Sequence, residues 1–183
     1  MKVVNPYTCD CQALVVTYEL RRRGYDLMAR PALMYQFDDP ELSQGFAVMM
    51  HAPNLIWYDP IIKTAPDILP LESIDELALR CHLGERIHLL FDTPFSTHII
   101  NVERDQELGL IAYDPAGGNF APVEEFFSRQ LAPNLRYRDL ISNLRYYRVD
   151  HCEIFPKLAE MLTMRPQDLP DLRAFSPLKC LGD

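Results

Sequence analysis

The chain has 183 residues, with 26 acidic against 18 basic side chains, a formal net charge of −8, 48% hydrophobic residues and 24% charged residues. That composition belongs to one globular domain of ordinary size and excludes wholesale disorder. The acidic balance excludes the basic face that phosphate neutralisation requires, so no nucleic-acid partner is expected, and no apolar run reaches the ~18 residues of a membrane span.

The opening residues Met1-Lys2-Val3-Val4-Asn5-Pro6 carry no apolar core of a signal peptide. Any export is therefore expected to use a specialised route. Five cysteines occur at positions 9, 11, 81, 152 and 180. An odd count at irregular spacing fits free thiols in a reducing compartment better than a disulfide framework. Cys9 and Cys11 form a C-x-C pair with no second pair at zinc-ligand spacing, and the five histidines are scattered, so no metal or other cofactor is expected.

The first predicted element is a helix over 11–23. Leu14, Tyr18 and Val15 recur at helical spacing, Asp10 stands at the N-cap and Gly24 at the C-cap, and three arginines fill the last turn. A strand over 25–29 is expected next. Residues 30–70 show no long period and read as loops with short strands, among them 46–50 and 55–58. A second helix is predicted over 70–82, with Pro70 at its start and Gly84 beyond its end. Three β-branched or aromatic runs follow, 86–91, 97–103 and 108–113, separated by turn residues, and read as an antiparallel meander. Pro115-Ala116-Gly117-Gly118 is a turn, and 122–131 an amphipathic helix with Pro122 at its first position. A last strand over 144–149 and a last helix over 156–162 complete the domain. The class expected is α+β. Residues 1–163 form the expected domain, and 164–183 an irregular C-terminal strap belonging to it.

Cys11 is the candidate nucleophile. It opens the first helix, where unpaired amides and the positive dipole end favour a thiolate; the alternative is a small apolar residue packed beneath the helix. Cys9, before the helix, is the competing thiol. A thiolate needs a base and a group to orient it. His98 interrupts the strand Thr97-His98-Ile99-Ile100-Asn101-Val102, sharing a face with Ile100 and Val102, and is either exposed or part of a site. Asp114 ends the neighbouring strand, close enough across a hairpin to meet His98, although an Asp before Pro also serves a plain turn. Asn5, six residues before Cys11, is either a turn starter or an oxyanion donor. There is no phosphate loop and no G-x-S-x-G elbow.

Asp10-Cys11-Gln12-Ala13-Leu14-Val15-Val16-Thr17-Tyr18-Glu19-Leu20-Arg21-Arg22-Arg23-Gly24-Tyr25-Asp26 resembles the nucleophile segment of papain-fold toxin domains of the glutamine deamidase type. These occur in bacterial polymorphic toxins and phage head-associated proteins. Ser96-Thr97-His98-Ile99-Ile100-Asn101-Val102 is similar to the family's histidine strand, Leu110-Ile111-Ala112-Tyr113-Asp114-Pro115 to its acidic strand end, and Asn5-Pro6 to its upstream Asn-Pro. Asp10 replaces a common Asn, Leu14 a second cysteine, and Ala116 a Gln. The resemblance spans 5–30 and 95–120. It implies a papain-like fold, with the nucleophile helix packed on an antiparallel sheet. It further implies a Cys11–His98–Asp114 hydrolase that converts a glutamine side chain on a target protein to glutamate without a cofactor. A papain-like protease, a transglutaminase and a non-catalytic papain-like binding module are the alternatives. The family also implies an effector delivered by a specialised secretion route into a target-cell cytoplasm, with a cognate immunity protein as a second partner.

Overall fold

The computed structural model describes residues 10–34, 40–132 and 135–169. It is an α+β structure whose centre is a six-stranded antiparallel sheet.

Helix α1 runs Cys11–Arg22. Asp10 begins it from an extended backbone, its carboxylate accepting the Gln12 N–H at 2.8 Å, which satisfies one of the donors a helix start leaves open. Gly24 ends it at φ +93°, a left-handed conformation that costs glycine little. A short strand β1 (Met28–Ala29) follows. Helix α2 spans Pro40–His51, then β2 is Trp57–Tyr58 and β3 is Leu69–Pro70. A single turn of 3₁₀ helix at Ile74–Glu76 leads into α3, Leu77–Arg80.

The next strands build the sheet: β4 Arg86–Asp92, β5 Thr97–Asp105, β6 Gly109–Asp114 and β7 Asn119–Pro122. Helix α4 (Val123–Ser128), a small hairpin of β8 (Gln130–Ala132) and β9 (Leu135–Arg136), and β10 (Ser142–Arg148) follow. The chain then forms β11 (Glu153–Ile154), α5 (Pro156–Leu162) and β12 (Thr163–Met164). The spatial order of the large sheet is β3-β10-β4-β5-β6-β7.

Strand alternation divides the interior in two. Leu90, Ile99 and Tyr147 face the buried side of α1 (Ala13, Val15, Val16), together with Met49, Trp57 and Leu162. Leu89, Phe91, Ile100 and Val102 point the opposite way, onto Leu77, Phe126 and Phe127. The sheet is therefore covered on both faces, and α1 is enclosed between the sheet and the C-terminal elements.

Several expected elements differ. Residues 46–50, read as a strand, lie inside helix α2; a short apolar run has no period of its own, and Pro40 at the first position starts the longer element that contains it. The helix expected over 70–82 is reduced to 77–80. Leu69 and Pro70 instead pair with Tyr146 and Arg145 as an edge strand, where a proline loses no needed donor. The strand expected over 25–29 is only Met28–Ala29, paired with β12. Pro122 ends β7 and precedes α4, and that helix stops at Ser128. The part of the expected strap at 170–183 lies outside the described residues.

Candidate active site

Three side chains from three elements meet beside the start of β5. Cys11 is the first residue of α1 and is a half-buried free thiol. His98 is the second residue of β5, and Asp114 the last of β6. In the β5–β6 register Tyr113 stands opposite Asn101, so Asp114 and His98 are diagonal neighbours on one face. His98 Nε2 lies 3.1 Å from Asp114 Oδ2. The carboxylate is itself held, its Oδ1 accepting the Ala116 N–H at 2.9 Å. Gly117 keeps this turn close: a Cβ there would lie 3.5 Å from Asp114 Oδ2 and 2.5 Å from Asn119 Nδ2.

His98 also hydrogen-bonds Cys11. Burial opposes charge on the imidazole, but the hydrogen bonds to Asp114 and Cys11, with the charges behind them, prevail and raise its pKa to about 9. The ring is therefore an imidazolium at neutral pH, held beside the carboxylate and the thiol. Phe91, directly opposite His98 in the β4–β5 register, meets the ring edge-on at 5.4 Å between centroids. This support escaped sequence reasoning, because the register depends on the turn Thr93–Ser96, where Thr93 Oγ1 donates to Ser96 O at 2.8 Å.

Asp10 has a double effect. Burial raises its pKa, while backbone hydrogen bonds from Gln12 and Ala13 and the charge of His98 act in the opposite sense. As a carboxylate it would favour the imidazolium while competing with a thiolate for the helix amides. Gln12 is buried, and its Nε2 donates to Met49 O at 3.3 Å, tying α2 to the nucleophile end of α1.

The remainder of the helix signature is architectural. Glu19, 1% exposed, accepts from Arg23 Nε at 2.8 Å and from Arg86 Nε and Nη2 at 2.9 and 2.8 Å. Arg23 then donates to the carbonyls of Cys152 and Val149, both at 2.6 Å, and lies over the Trp57 ring. Arg22 pairs with Glu103 of β5 at 2.7 Å. These residues, read from the sequence simply as a helix end, fasten the far end of α1 to the sheet and to the turn after β10.

A second Cys-His-Asp set occurs elsewhere: Asp59 Oδ2 lies 2.9 Å and Cys152 Sγ 4.0 Å from the same atom, His151 Nε2. A catalytic relay needs sulfur and carboxylate on opposite ring nitrogens. Cys152 is moreover buried, bonded through Sγ to Arg148 O at 3.4 Å, and burial pushes its thiol up to about 12. It is unsuited to be a nucleophile.

Of the residues singled out from the sequence, Cys11, His98 and Asp114 come together. Asn5 and Cys9 lie outside the described residues. Among the described residues no helix is long and apolar enough to cross a membrane. The chain matches no protein-family model and no curated protein.

Proposed function

We propose that the chain is a papain-like cysteine hydrolase that deamidates a glutamine side chain on a target protein. The observation that carries this is the imidazole of His98, which meets both the Asp114 carboxylate and the Cys11 thiol at the start of α1. The likeness of 10–26, 96–102 and 110–115 to the deamidase-type toxin domains supports the choice of substrate. It also supports the role of a delivered effector restrained by an immunity protein.

The Cys11 thiolate attacks the carboxamide carbon and a C–S bond forms. The carbonyl oxygen takes up the electron pair beside the Cys11 N–H, one of the first-turn amides without an intrahelical acceptor. His98, as imidazolium, gives its proton to the departing nitrogen; the C–N bond breaks and ammonia leaves. Now neutral, His98 takes a proton from water as the hydroxyl adds to the thioester. The C–S bond breaks, the thiolate is restored and glutamate is released. Asp114 fixes the tautomer throughout, holding Nε2–H. One water is consumed and one ammonia formed.

The test is ammonia release from a lysate of susceptible cells, with intact masses of the proteins that change. Wild type is expected to release ammonia and Cys11→Ala to release none. Protein fragments, or amine adducts in place of acids, would reassign the same three residues to proteolysis or transglutamination. Equal release by Cys11→Ala would reject them as the nucleophilic set.

A further inference from the structure

Asp59, at the end of β2, and His151-Cys152, in the turn after β10, bring a carboxylate oxygen, an imidazole nitrogen and a sulfur within 4.8 Å of one another. The features that disqualify this set as a relay qualify it for another purpose. Donors crowding one ring nitrogen do not pass a proton along, but they converge on a point, which is what a cation requires. Asp59 Oδ1 is already held by the N–H groups of Ile61 and Ile62, at 2.8 and 3.4 Å, so Oδ2 is the oxygen turned inward.

The other face of the imidazole gives a second observation. Among the described residues His151 Nδ1 is buried without a hydrogen-bond partner, and Asp150 Oδ2 stands 3.9 Å from it. A neutral ring whose Nε2–H serves Asp59 would aim a bare lone pair at that carboxylate. A ring ligating through Nε2 instead carries its proton on Nδ1 and directs it toward Asp150. That carboxylate–histidine–metal order is how ligating imidazoles are oriented.

We propose that Asp59 Oδ2, His151 Nε2 and Cys152 Sγ bind a zinc ion, with Asp150 behind the imidazole and water in the fourth position. The donor set selects the metal: thiolate and imidazole suit zinc and are poor ligands for magnesium or calcium. Two anionic ligands also neutralise the dication, so the site carries no net charge into a mostly buried place. The thiol proton leaves to solvent on binding. The ion would join the loop after β2 to the turn after β10, whose carbonyls Arg23 grips. Arg23 follows the 12-residue α1 that Cys11 opens, so this site is tied to the opposite end of that helix. The metal would brace the far end of the nucleophile helix and take no part in the proposed reaction. Sequence spacing concealed the site, because Asp59 is 92 positions from His151.

The test adds Co²⁺ alone to metal-free protein, then Zn²⁺. Wild type is expected to bind one equivalent of Co²⁺ with a thiolate-to-cobalt charge-transfer band, which Zn²⁺ abolishes. Cys152→Ser is expected to lose the band, and Cys11→Ser to keep it. Asp150→Asn is expected to weaken binding about 10–100-fold. Circular dichroism checks each variant's fold. Should Cys152→Ser not fold, Asp59→Asn provides the same comparison, with weaker binding expected. A band that survives Cys152→Ser or disappears in Cys11→Ser would overturn the proposal. So would folded wild type that binds no stoichiometric cobalt, which would leave His151 as an ordinary partner of Asp59. Because the readout is a spectrum and not ammonia release, this result is independent of the proposed activity.

Discussion

Replacing Asp114 by Asn keeps the shape of the group that orients His98 and removes its charge. In wild type the hydrogen bond and charge of Asp114, with those of Cys11, carry the imidazole from an ordinary 6.5 to about 9, against burial. That displacement corresponds to about 3 kcal/mol of preference for the charged ring. A raised histidine pKa contributes stability that is fully present below the unfolded value of 6.5 and is lost as pH climbs through about 9. Wild type should therefore lose stability across this window. In Asp114→Asn burial is left opposed chiefly by Cys11, so the titration should fall by at least one unit and most of the slope should vanish. The assay is the pH dependence of Cys11 alkylation by iodoacetamide, paired with NMR titration of His98. The His98 titration should move down in pH with the mutation. A His98 titration that stays near pH 9 in Asp114→Asn would refute the assignment of Asp114 as the charge that sustains the imidazolium.

Other outcomes follow from the same contacts. Cys11→Ala should abolish selective alkylation, whereas Cys152→Ala should leave it intact; labelling mapped by mass spectrometry checks both. Glu19→Gln leaves Arg23 and Arg86 without their buried carboxylate and should cost about 3–5 kcal/mol in equilibrium unfolding. Asp10→Ala removes the cap on Gln12 N–H and should cost about 1 kcal/mol, read in the same way.

The parts of this structure legible in the sequence are those with local causes. Asp10 and Gly24 bracket α1 because capping and left-handed backbone are properties of single residues. The runs 86–91, 97–103 and 108–113 became β4, β5 and β6 nearly as read, because turn residues separate them. The pairing of His98 with Asp114 was legible because it is the near neighbour of a hairpin. What escaped reading depends on distant partners. Helix α2 shows no clear period in the sequence because its exposed face carries the apolar Ala47 and Val48, while Phe46 and Met49 turn inward. Pro70 looked like a helix start until β10 supplied an edge for it to join. The clamp of Glu19 on Arg86 and the convergence of Asp59 on His151 span 67 and 92 positions, and no spacing rule reaches that far.

The proposed deamidation by Cys11, with His98 and Asp114, would leave glutamate where a target protein had glutamine. Proteome-wide mass spectrometry of susceptible cells expressing wild type or Cys11→Ala tests it most directly. Glutamate is expected in place of glutamine at a small set of sites with wild type and at none of them with the variant. Identical glutamine occupancy in the two samples, under expression that harms the cells, would contradict it.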